Sequence, residues 1–291
     1  SLPSPEYWAQ RALEREERSA RKGESLTRQV TRMYERAAKD LESDVGRIIS
    51  TFRRRGNLSE KETAELLSRD ITAAERKRLM ERIGQIKDPE IRRKMLAVIN
   101  APAYKWRVKR AQLLKDSAEV TCARLADQEI RADREALARV LQEGYERAIY
   151  DAQAGTGLGF RFAGLSLENA RALVDGKPIQ TLETGIDVGV YFSSEPAGAV
   201  KESIDRAWSG KHFSERVWDN THALAKEAKD ILQSGLLSGR SVPVMTAQLR
   251  AKMECKKYEA ARLIRTEIND IHNQAELLSY RQMGVKRYVY L

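Results

Sequence analysis

Between residues 91 and 110 the chain carries Arg92, Arg93, Lys94, Lys105, Arg107, Lys109 and Arg110 and no aspartate or glutamate, with Tyr104 and Trp106 set among them. Cations neutralise phosphates and aromatic rings stack on bases, so this stretch, Trp106 included, is the candidate nucleic-acid contact. The same charges also suit a solvated helix face or a site for an acidic protein. Other chemistry finds little footing. Gly155-Thr156-Gly157-Leu158-Gly159 follows a helical pattern and lacks the Gly-Lys-Ser/Thr ending of a phosphate loop, which makes it a hinge or turn. His212, His222 and His272 show no metal-ligand spacing, and Cys122 and Cys255 give no disulfide framework. No nucleophile stands beside a base. The expectation is therefore no catalytic residue, no metal and no cofactor.

Glu267 is the one acid in an unusual place. It falls three positions after Ile264 and four before Ile271, in or at the edge of an apolar helical stripe. Its helical neighbours are Leu263, Ile264, Asp270 and Ile271, so a cation for it must come from another segment, with Arg287 one candidate. A carboxylate reaching water at the edge of the stripe is the competing reading.

The elements that would position these residues are helical. Leu26, Val30, Met33, Ala37, Leu41, Val45, Ile48 and Phe52 share one face, which predicts a helix over 26–52. Ser59 with Glu62, and Thr72 with Glu75, have capping-box spacing, and Asp88-Pro89 opens a further helix that Asn100-Ala101-Pro102 closes. From Ala103 to Tyr150 proline is absent, and one stripe runs through Tyr104, Val108, Ala111, Leu114, Ala118, Cys122 and Leu125. Unbroken, this helix would suit an extended molecule, whereas a compact bundle would break it near Asp127 to Asp133, where the stripe gives way to acids and arginines.

Later, Ser214 is the expected N-cap of a helix stapled by Phe213 and Trp218. Val217, Thr221, Leu224, Ala228 and Ile231 continue it to a stop at Gly235-Leu236-Leu237-Ser238-Gly239. Ser241 caps a second helix with Val244, Met245, Leu249 and Met253. A third carries Ala260, Ile264, Ile268, Ile271, Ala275 and Leu278 until Gly284. Gly185 to Phe192, and the tail from Val285 to Leu291, lean towards strand.

The fold class read from this pattern is mainly α. It has an extended, basic multi-helix region over residues 1–154 and a helical C-terminal domain over 155–291 with a small β element. Charge follows the same division. Residues 1–150 hold 33 Lys plus Arg against 25 Asp plus Glu, and residues 151–291 hold 19 against 17. No run approaches the roughly 20 apolar residues of a membrane span, and no signal-peptide pattern opens the chain, so a membrane is not expected as a partner.

Four stretches resemble the phage head morphogenesis, or minor head, proteins of the Mu F-like family. They are Trp208 to Trp218, Gly235 to Ser241, Ala261 to Glu267, and Ala275 to Tyr280 leading to Gly284-Val285. Tyr7-Trp8, the long charged helix after it, and Leu58-Ser59-Glu60-Lys61-Glu62 are similar to the family's beginning. The likeness fades between Ala152 and Ala207. It implies structural roles for Trp208, Phe213, Trp218, Gly235, Gly239, Arg262, Arg265, Thr266, Glu267 and Gly284. It also implies a low-copy virion component, in the head interior or at the portal vertex, made and assembled in the host cytoplasm. Its implied partners are the portal protein and other capsid or scaffold proteins, either as a homo-oligomer or as several copies per portal, and double-stranded DNA is a further one. The alternative function is a protein that coats or protects phage DNA without sequence preference. Family members continue past Tyr290-Leu291, so the resemblance implies a longer native chain.

Overall fold

A computed structural model describes residues 3–49, 68–100, 109–157, 164–177 and 212–283, together with 61 and 65. Their regular elements are seven helices: α1 (Pro5–Ile49), α2 (Ala73–Gly84), α3 (Pro89–Asn100), α4 (Arg110–Thr156), α5 (Leu167–Val174), α6 (Phe213–Leu237) and α7 (Val242–Gln282). The chain is mainly α, as its periodicity predicts. An isolated bridge joins Asp70 to Lys109. The strand-leaning stretches 185–192 and 285–291 lie outside the described residues, as do Ser59, Glu62 and Phe52. No described helix is long and apolar enough to cross a membrane.

The chain divides into two compact units. The first comprises Ser1–Arg28, Arg131–Phe213 and Arg262–Leu291, and the second Gln29–Ile130 and Ser214–Ala261. This partition interleaves the sequence and differs from a boundary near residue 154. In the second unit Val30, Tyr34, Ala37, Leu41 and Val45 of α1 are buried, with Leu79 and Ile83 of α2 and Ile91, Met95 and Ile99 of α3. Leu114, Ala118, Cys122 and Leu125 of α4 are buried there too. In the first unit the core includes Leu137, Leu141, Tyr145 and Ile149 of α4 and the stripe Ile264, Ile268, Ile271, Ala275 and Leu278 of α7.

Local signals set the short helices. Thr72 accepts a hydrogen bond from the Glu75 amide at 3.2 Å while Glu75 accepts one from the Thr72 amide at 2.8 Å, so two of α2's orphan donors are satisfied. Asp88 Oδ1 accepts from the amides of Glu90 and Ile91, both at 2.9 Å, and caps α3 ahead of Pro89. α6 stops in a Schellman turn: Gly239 has φ of 65°, and the Arg240 amide donates to the Gly235 carbonyl at 2.8 Å. Gly235 itself lies inside α6, where an added Cβ would come within 2.5 Å of Met245 Sδ.

Three expectations need correction. α1 begins at Pro5, far ahead of Leu26, because the stripe continues backwards through Gly23, Ser19 and Arg15, whose small or charged side chains carry no hydrophobic signal. Of the two readings of α4 the unbroken one holds and is no correction, since the buried acids between Asp127 and Asp133 find donors: Asp127 accepts from the amides of Lys87 at 3.2 Å and Asp88 at 2.8 Å. The predicted second and third C-terminal helices are one, α7. Helix α6 also starts at Phe213, which puts Ser214 inside it instead of at its cap.

Gly144 marks a close helix approach in the first unit. A Cβ there would lie 2.8 Å from Ala275 Cβ, an atom fixed to its backbone, so α4 and α7 would have to separate. Gly144→Ala is expected to destabilise the protein by about 1 to 3 kcal/mol, despite a helix-propensity gain of up to about 1 kcal/mol. A urea midpoint at or above the parent's would show that the approach yields without cost.

Candidate functional site

The basic stretch divides into two groups. Arg92, Arg93 and Lys94 stand exposed on α3, whose opposite face buries Ile91, Met95 and Ile99 at helical spacing. Acids absent from the stretch itself meet these cations in space. Glu90 lies 3.3 Å from Arg93 and 4.0 Å from Lys94. Lys109 pairs with Asp70 at 2.7 Å, and Arg110, largely buried, lies 3.8 Å from Glu75. Arg110 thus ties the start of α4 to the cap of α2. Lys105, Trp106 and Arg107 lie outside the described residues.

Lys94 also meets an aromatic ring. Its Nζ sits 5.0 Å from the centroid of the Trp218 ring, a cation–π distance, and His222 stacks on the same indole at 6.2 Å with planes 15° apart. Positions 218 and 222 are one turn apart on α6, which is why both rings reach this side of the second unit. Trp218 is half-buried, so one side of the residue expected to staple the helix start faces the surface, next to a lysine and an exposed histidine. Lys94, Trp218 and His222 together form a small basic and aromatic surface, with Arg92 and Arg93 exposed elsewhere around α3.

The other family-like positions differ in burial where they are described. Phe213 is 5% exposed, and His212 before it meets the Val174 carbonyl at 2.8 Å. Gly235 and Gly239 shape the α6 stop. Thr266 donates to the Arg262 carbonyl at 3.2 Å, Arg262 and Arg265 are exposed, and Glu267 is half-buried. Trp208, Gly284 and Arg287 are outside the described residues.

Two buried polar clusters escaped the sequence reading. In the first unit Arg15, 7% exposed, donates from Nη1 to Asp151 at 2.5 Å and from Nε to Glu276 at 2.7 Å. His272 Nε2 lies 3.8 Å from the same Glu276 oxygen, and burial lowers the imidazole pKa below its ordinary value although Glu276 acts the other way. In the second unit the Tyr34 hydroxyl donates to Glu129 at 3.0 Å and accepts from Asn220 Nδ2 at 2.9 Å. Burial pushes the Glu129 carboxyl up to about 8, against the hydrogen bond from Tyr34. Tyr34 could have been found, since it lies four residues after Val30 and three before Ala37 on the buried face; a phenol there needs a partner.

Chemically, these clusters hold helices together. The groups that could meet a ligand are exposed cations. Among the described residues no group of His, Cys, Asp and Glu could hold a metal ion. No family model matches the chain, and neither a curated protein nor a solved structure does.

Proposed function

We propose that this is a phage minor head protein, a low-copy structural component that associates with the portal and acts in head assembly. The reading rests on the four family-like stretches, and its main support is that their described residues have structural work to do. Phe213 is a buried anchor, Gly239 supplies the left-handed turn, and Gly235 lets Met245 approach α6. A scaffold of long helices carrying ion-pair clusters, with no substrate-shaped constellation among the described residues, suits assembly better than catalysis. The test is co-purification with procapsids. A fixed small number of copies per portal is expected, and absence from procapsids that contain the portal would overturn the proposal.

The second reading, sequence-independent DNA binding, is favoured by one observation: Lys94 is exposed beside Trp218 and His222, and Arg92 and Arg93 are exposed on the same helix. Replacing Arg92, Arg93, Lys94, Lys105, Arg107, Lys109 and Arg110 by Gln is expected to lower duplex affinity. It should also flatten the salt dependence by about 0.9 in log–log slope for each phosphate that is no longer neutralised. Filter binding over a salt series measures this, and an unchanged slope would remove the stretch from consideration.

A further inference from the structure

We propose that the first unit binds a phosphate group in a recess between α1, α4 and α7. Arg18, Ser19 and Lys22 of α1, Gly144 and Arg147 of α4, and His272 of α7 line it. The two other cations on this wall already have acids: Arg15 has Asp151 and Glu276, and Lys22 has Glu143. Arg18 and Arg147 do not. Both are exposed at the recess and have no ion-pair partner among the described residues. Ser19 is 7% exposed, and its Oγ has no hydrogen-bond partner among the described residues. An unmade hydrogen bond on a buried hydroxyl is costly, and a ligand oxygen would complete it.

The size of the recess narrows the ligand. Its volume is about 20 Å³, room for one oxygen-sized atom. One oxygen of an anion can therefore enter towards Ser19 while its other oxygens face the two guanidinium groups at the mouth. A tetrahedral phosphate can turn a separate oxygen towards Ser19 and towards each guanidinium, whereas a carboxylate has two oxygens in one plane. Ser19 and His272 also line a wider groove of about 510 Å³ between α1 and α7. That groove leaves space for whatever the phosphate is esterified to. Free inorganic phosphate and the backbone of a nucleic acid share this chemistry. The inference does not depend on a role in head assembly.

Calorimetric titration of inorganic phosphate into the full chain at low salt tests it, with a short DNA duplex titrated in parallel. The Arg18→Gln/Arg147→Gln double variant is expected to lose about tenfold or more in phosphate affinity, and Ser19→Ala several-fold. Arg21→Gln is the control, since Arg21 already pairs with Glu17 at 3.3 Å on the same helix and should bind as the parent does. The substituted arginines are exposed, so the double variant should keep the parent's urea midpoint and report binding alone. Parallel losses for phosphate and duplex identify the nucleic-acid backbone as the source, and a loss for phosphate alone identifies the free anion. Either result supports the site. Absence of phosphate binding by the parent at millimolar concentration, or equal binding by the double variant, overturns it.

Discussion

Arg15→Met should destabilise the protein by about 3 to 5 kcal/mol, because it removes the cation and leaves two carboxylates in place. Asp151 is 8% exposed and the Glu276 side chain 19%, so water can compensate neither fully. Both accept from the same guanidinium, at 2.5 and 2.7 Å. Without it neither has a guanidinium at hydrogen-bond distance among the described residues. Urea unfolding at neutral pH measures the loss. A loss below about 1 kcal/mol would mean that the pair behaves as a solvated surface bridge.

Glu129 gives a pH signature. Its carboxyl is held up to about 8 in the folded chain, by burial above all, and returns to the ordinary range when the chain unfolds. Between about 4.3 and 8 the folded state therefore binds a proton that the unfolded state does not. The stability contributed is complete below the unfolded value and is lost as pH rises through that window. Glu129→Gln keeps an acceptor for the Tyr34 hydroxyl and removes the titration. Parent and variant should be similar at pH 5, and by about pH 9 the variant should be more stable by roughly 3 to 5 kcal/mol. All other titrating groups are common to both proteins, so they cancel in the difference. Parallel stability curves would show that Glu129 is ionised throughout.

What was legible in the sequence was local. Thr72 with Glu75 and Asp88 with Pro89 were readable because a cap is a relation between residues close along the chain. The stripe from Ala260 to Leu278 was readable because every member is apolar, and all six are buried. The misses share one physical cause, burial without hydrophobicity. α7 looked like two helices because its seam passes through Lys256 and Lys257. Their side chains are only 14% and 20% exposed, with their charges carried out to Glu259 and Glu254. α4 looked breakable where Asp127 and Glu129 lie, yet both are satisfied by residues far along the chain, a relation that no local window contains. Arg15 and Ser19 hid the first half of α1 in the same way. Of the candidate surface, the cations were legible, and so was Glu90, one helical turn before Arg93 and Lys94, but Asp70 and Glu75, which meet Lys109 and Arg110, were brought in by the fold.

The two cysteines differ as the helices that carry them differ. Cys255 is exposed on α7, whereas Cys122 is enclosed in α4 and burial pushes its thiol up to about 12. A maleimide added to the native protein should therefore attach once, at Cys255, and leave Cys122 untouched. The second attachment can occur only when the second unit opens. Its rate is a clock for that opening, read on the unmodified chain by intact mass alone, and Glu129→Gln should slow it at alkaline pH.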